Sequence, residues 1–205
     1  LVDLAPAPGP MDDRTGDPHP VTSDFSGFVF KIQANLDPRH RDRIAYVRVA
    51  SGEFDRGMQV TNVRTDRSFS TKYAHQVFGR DRDTVDQAYP GDVIGLVNAG
   101  DLHIGDTVTT GESFRFPPIP TFAPEHFHVG RNMDTSRYKQ FRRGITQLDE
   151  EGVVQVLRHP DRGEQEPILA AVGPMQYDVA VYRLENEFGA KIELTPTPYV
   201  LARRT

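Results

Sequence analysis

No cysteine occurs in the 205 residues. Structural disulfides, thiolate nucleophiles and zinc sites built on cysteine are therefore excluded, and a reducing cytoplasm is permitted. Long apolar runs are missing too, since none approaches the roughly 18 residues that a membrane-spanning helix needs. The opening Leu1-Val2-Asp3-Leu4-Ala5-Pro6 has neither a basic n-region nor an apolar h-region, so no signal peptide is expected there. Leu1 is too large to be left behind by ordinary initiator-methionine removal, and the sequence reads as an excised piece of something longer. Two further absences concern chemistry. Without any Gly-Lys pair there is no G-x-x-x-x-G-K-[ST] phosphate loop, and Asn-Lys-x-Asp for guanine recognition is also absent. The short pattern D-x-x-G does occur, beginning at Asp13, Asp24, Asp92 and Asp149. Several hits in a chain without a phosphate loop carry no weight, and Asp92 to Gly95 reads as a turn entering a strand.

What is present suits one large or two small domains, with 37% hydrophobic and 26% charged residues. The net charge of −5 is concentrated at one end. Asp3, Asp12, Asp13, Asp17 and Asp24 stand against Arg14 alone in residues 1–24, leaving the rest close to neutral. A global field for nucleic acid is lacking, so any such binding must come from local basic patches.

Residues 1–24 carry Pro6, Pro8, Pro10, Pro18 and Pro20 with Gly9 and Gly16, and read as an extended acidic linker. Residues 25–115 show short strand signals between Gly and Asp turns. They are Phe28 to Ala34, Arg43 to Ala50, Met58 to Val63, Ser68 to Thr71, Asp92 to Val97 and Thr107 to Thr109. Such a pattern without helical periodicity predicts a small antiparallel β-barrel, closed so as to remove exposed edges. Residues 116–205 change character after Pro117, Pro118 and Pro120. A strand near Phe127-His128-Val129 precedes a helix from about Thr135 to Glu150, with Tyr138, Phe141, Ile145 and Leu148 as its apolar stripe. Val153 to Leu157 and Ile168 to Val172 read as paired strands. A second helix runs from Pro174 to Phe188, with Met175, Val179, Tyr182 and Phe188 as the expected core stripe and Gly189 beyond its end. Lys191 to Thr195 closes a β-α-β-β-α-β order. The fold class is thus β plus α+β: a barrel followed by a ferredoxin-like domain.

The phrases themselves carry a resemblance. Gly27-Phe28-Val29-Phe30-Lys31-Ile32-Gln33-Ala34-Asn35, then Asp37-Pro38-Arg39-His40-Arg41-Asp42-Arg43, resemble the second domain of the peptide-chain-release-factor-3 family of translational GTPases. So do Ala88-Tyr89-Pro90-Gly91-Asp92, Ile104-Gly105-Asp106-Thr107 and Ile119-Pro120-Thr121-Phe122-Ala123-Pro124-Glu125. The third domain of that family is similar in Gln147-Leu148-Asp149-Glu150-Glu151-Gly152, Val172-Gly173-Pro174-Met175-Gln176-Tyr177-Asp178-Val179 and Arg183-Leu184-Glu185-Asn186-Glu187-Phe188. The resemblance implies a cytoplasmic protein of translation termination. Its parent would bind GTP or GDP, with magnesium, on a separate G domain, and would promote release of class-I release factors from the ribosome. This stretch would then hold no cofactor and no catalytic residue of its own.

On that reading, Arg39, His40, Arg41 and Arg43 form a candidate contact with ribosomal RNA or with the G domain, since Arg forks onto phosphate oxygens. The alternative is a solvated loop paired with Asp37 and Asp42. Arg142 and Arg143 lie on the helix side away from the apolar stripe, a second candidate against the commoner solubilising face. His126 and His128 share a strand face, yet third and fourth metal ligands are not evident. Tyr46, Tyr138, Tyr177 and Tyr182 are expected in the core. A free-standing RNA-binding module without GTPase activity is the competing function. The oligomeric state is not legible.

Overall fold

The computed structural model describes residues 4–34, 43–78, 81–97, 99, 101–157 and 165–202, in two units, Leu1–Ile119 and Pro120–Thr205. In the first unit β1 (Met11–Asp12) and β2 (Pro18–His19) form a small ribbon. Then follow β3 (Ser26–Ala34), β4 (Arg43–Ser51), β5 (Phe54–Asp55), β6 (Gln59–Asn62), β7 (Arg67–Ser70) and β8 (Ala74–Phe78). β9 (Asp81–Thr84), β10 (Gln87–Ala88), β11 (Val93–Val97) and β12 (Thr107–Thr109) complete the unit. Eight strands make one antiparallel sheet in the order β7-β6-β12-β3-β4-β11-β8-β9, and β5 pairs with β10.

Alternation explains which side faces in. Ala45, Val47 and Val49 of β4, Ile94 and Leu96 of β11, and Val29 and Ile32 of β3 meet Phe25, Phe54, Val60 and Leu102 in one core. Register shifts at Ser26/Gly27 and Val29/Lys31 interrupt the β3–β4 pairing. Irregularities of this kind bend and twist a strand, and the sheet curls into a half-barrel; among the described residues its order ends at β7 and β9, which do not pair, so the closure expected from the sequence is not reached.

Residues 4–24, read as a linker, are held against this unit. The His19 ring stacks on Phe114 with centroids 3.6 Å apart. Arg14 N–H donates to the Arg115 carbonyl at 2.7 Å, and Gly52 N–H to that of Val21 at 2.9 Å. The prolines do prevent longer strands. Between them Asp13 Oδ1 accepts from the N–H groups of Thr15 and Asp17, which turns the chain and lets β1 meet β2.

The second unit consists of β13 (His126–Asn132), a 3-10 turn (Thr135–Arg137), α1 (Tyr138–Glu150), β14 (Gln155–Leu157), β15 (Ile168–Ala171), α2 (Met175–Glu187) and β16 (Ile192–Pro196). Its sheet runs β14-β15-β13-β16, antiparallel throughout. This is the ferredoxin-like arrangement that the element order predicts. Asp134 caps the first helical turn by accepting from Ser136 N–H at 2.9 Å. Phe141, Ile145 and Leu148 of α1 are buried as expected.

For α2 the expected core face holds at Phe188 and fails at its other three positions. Met175, Val179 and Tyr182 are exposed, whereas Tyr177, Ala180, Leu184 and Phe188 are buried. Both sets have helical spacing, so periodicity alone cannot choose between them. Backbone polarity decides it. The Tyr177 hydroxyl bridges two strand carbonyls, those of His126 at 2.7 Å and Leu169 at 3.0 Å, and burial pushes its pKa up to about 12. Arg183 joins the two helical segments by donating to Glu151 at 2.6 Å and Glu187 at 2.8 Å. Burial works against its charge, and the two carboxylates nevertheless hold the guanidinium above its ordinary value.

Candidate interface surfaces

Of the basic residues singled out by sequence, Arg39, His40 and Arg41 lie outside the described residues. Arg43 opens β4, and its Nη2 donates to the Leu102 carbonyl at 2.9 Å. Arg43 therefore serves the barrel end as well as any external contact. Arg142 and Arg143 project from α1 on the side away from Phe141, Ile145 and Leu148, and both are exposed. Lys139 is exposed as well, so α1 presents cations to solvent. Asp92 plays the turn role read for it: its Oδ2 accepts from Tyr89 N–H at 2.8 Å, one residue before β11 begins.

The two histidines of β13 diverge. His126 is exposed, while the His128 ring packs 4.2 Å from that of Tyr177, and its Nδ1 is buried without a hydrogen-bond partner. No cluster of three or more metal-binding side chains occurs among the described residues. Burial, and then the neighbouring His126, lower the His128 pKa from its ordinary value. A lowered pKa means that the folded state binds this proton less readily than the unfolded state. The contribution of His128 to stability is therefore complete above pH 6.5, the ordinary value, and is lost as the pH drops below it. Unfolding midpoints measured between neutral and mildly acidic pH are expected to decline more steeply for the wild type than for His128→Asn.

Two features have no clear sequence signal. A cleft of about 440 Å³ is lined by Phe69, Ser70, Thr71, Tyr73, Leu96 and Leu102, among others. Beside it a polar network pins the β6–β7 hairpin to the segment before β12. Asp106 accepts from Arg64 Nε at 2.7 Å, Arg64 Nη2 at 3.0 Å, Asn62 Nδ2 at 3.1 Å and His103 N–H at 2.8 Å. Asp106 lies in the Ile104-Gly105-Asp106-Thr107 phrase, so the residue is visible in the sequence and its partners are not. Among the described residues no helix is long and apolar enough to cross a membrane.

Comparison with known proteins agrees with this architecture. Residues 24–111 match the family described as elongation factor G domain 2. Residues 116–205 match the family described as class II release factor RF3, C-terminal domain. Peptide chain release factor 3 of Gloeobacter violaceus is 49% identical over 203 residues, covering 99% of this chain and 38% of that protein. The protein of the same name from Synechococcus elongatus is 48% identical over 203 residues, covering 99% and 36%. The chain thus spans less than two fifths of the length of these curated relatives. A solved structure from Thermus thermophilus superposes with a TM-score of 0.71 at 22% identity, covering 85% of this chain and 26% of that one, a likeness of fold. Over the two domains it contains, the chain belongs to the peptide chain release factor 3 family.

Proposed function

We propose that this chain is the noncatalytic part of a ribosome-binding GTPase of translation termination, whose whole protein promotes recycling of class-I release factors. The observation that carries the reading is the near-half identity to peptide chain release factor 3 along 99% of the chain. In this reading, binding and hydrolysis of GTP, with magnesium, belong to a G domain of the parent. The 205 residues contain no phosphate loop. Calorimetric titration of the chain with GTP or GDP is therefore expected to show no binding, and micromolar affinity would overturn that assignment.

Ribosomal RNA contact is assigned to the basic segment Arg39, His40, Arg41 and Arg43 and to Arg142 with Arg143 on α1. Each cation that neutralises a phosphate steepens the dependence of binding on salt. Pelleting of the parent protein with ribosomes over a salt series tests both patches. Arg142→Glu combined with Arg143→Glu is expected to weaken binding and to flatten the salt dependence. Unchanged slopes would remove α1 from the interface and leave the Arg39 to Arg43 segment to be reversed in turn.

A further inference from the structure

The outer face of α2 is apolar where the outer face of α1 is charged. Met175, Val179 and Tyr182 recur at helical spacing and are 77%, 46% and 65% exposed; Val172, just before the helix, is 41% exposed. The opposite face of the same helix supplies Tyr177, Ala180 and Leu184 to the core. A helix apolar on two faces has the pattern of one that is buried on both. Isolated exposed apolar residues need no explanation, whereas a contiguous stripe with charged borders marks an interaction surface.

Charge restricts what covers it. Asp178 and Glu185 are exposed and fall along one margin of the stripe. Arg183 is the only base in α2, and its guanidinium is drawn back to Glu151 and Glu187. The margin is thus acidic, which repels nucleic-acid phosphates and favours a cationic partner. The stripe is also long enough for a short helix to lie along, since its helical members, Met175 to Tyr182, span about two turns, roughly 10 Å.

We infer that the Val172-Met175-Val179-Tyr182 stripe docks a protein segment of complementary chemistry, an amphipathic helix with aliphatic side chains on one face and Lys or Arg beside them. Such packing lays the apolar face of the partner along the stripe and sets its cations against Asp178 and Glu185. Aromatic Tyr182 and flexible Met175 are the side-chain types that adapt to and anchor such contacts. This assignment does not depend on the ribosomal reading, because it rests on the surface alone.

The test uses the isotope-labelled chain and two synthetic amphipathic peptides. One carries Leu on one face and Lys and Arg on the other, and its counterpart has every base replaced by Glu. Backbone amide shifts at Val172, Met175, Val179 and Tyr182 are expected with the basic peptide and not with the acidic one. Met175→Ser combined with Tyr182→Ser should weaken binding about tenfold or more, as loss of two anchors does. Asp178→Lys combined with Glu185→Lys should remove the preference for the basic peptide. The wild-type shift map does not depend on the folding of any variant. Silent amides, shifts confined to α1, equal response to both peptides, or shifts caused by an RNA oligonucleotide would each overturn the inference. So would concentration-dependent self-association through this stripe, which would make a second copy its occupant.

Discussion

Asp106→Ala is expected to cost the first unit about 3 kcal/mol, the loss that follows when a buried ionic group is removed and its partners are left behind. The side chain is only 4% exposed and accepts four hydrogen bonds. Removing it strands the His103 N–H and leaves the Asn62 amide with only its longer bond to the Asp101 carbonyl at 3.3 Å, while Arg64, 37% exposed, regains water. Arg64→Met should therefore cost less, about 1 kcal/mol, because Asp106 keeps its two other donors. Urea unfolding monitored on this unit measures both, and equal losses would show that the charge pair, not the full set of donors, sets the value. The carboxylate beside it also holds the Arg64 guanidinium above its ordinary value, in keeping with a bond that favours the charged form.

Gly144→Val is expected to destabilise the second unit by about 2–3 kcal/mol, the upper range for overpacking a filled core. A Cβ at this position would lie 2.5 Å from Leu184 Cδ2 and 3.0 Å from the Phe188 ring. Leu184 is fully buried, so its methyl group has nowhere to retreat. Helix propensity works the other way, since Gly is the poorer helix former by a few tenths of a kcal/mol relative to Val. The clash is the larger effect. Leu184→Ala opens the space, so the double variant should be more stable than the sum of the single losses predicts. Strict additivity in a thermal-unfolding cycle would refute the close approach of α1 and α2.

Legibility in the sequence follows physical signal strength. Thr107 to Thr109 and Ile168 to Ala171 stand out as strands because β-branched and small apolar residues are bounded by turn formers. Asp134, Thr135 and Ser136 offer N-caps and Gly152 an end for the helix from Thr135 to Glu150; the structure uses Asp134 and Gly152, the latter at φ 71°. β9 is hidden because three of its four residues, Asp81, Arg82 and Asp83, are charged and only Thr84 is a β former, and it forms through pairing with β8. The α2 face misleads because Met175, Val179 and Tyr182 together are larger and more apolar than Ala180. What settles the face is the Tyr177 hydroxyl meeting carbonyls from strands that are distant in sequence. The candidate surfaces are legible in the same uneven way. Exposure of Arg142 and Arg143 follows from the apolar stripe behind them. The Arg43 bond to Leu102 joins residues that no local pattern links, and the acidic-bordered apolar stripe has the sequence pattern of core.

The sheet order of the second unit has a mechanical consequence. β13 and β16 are neighbours and run antiparallel, with His128 opposite Pro196 and Asn132 opposite Ile192. The strand through which the chain arrives thus begins beside the end of the strand through which it departs. Tension between those two points opens the ladder one rung at a time, as a zipper opens, instead of loading every rung together as sliding would. A pull along the chain meets little resistance here, while a push or a twist meets the whole packed body.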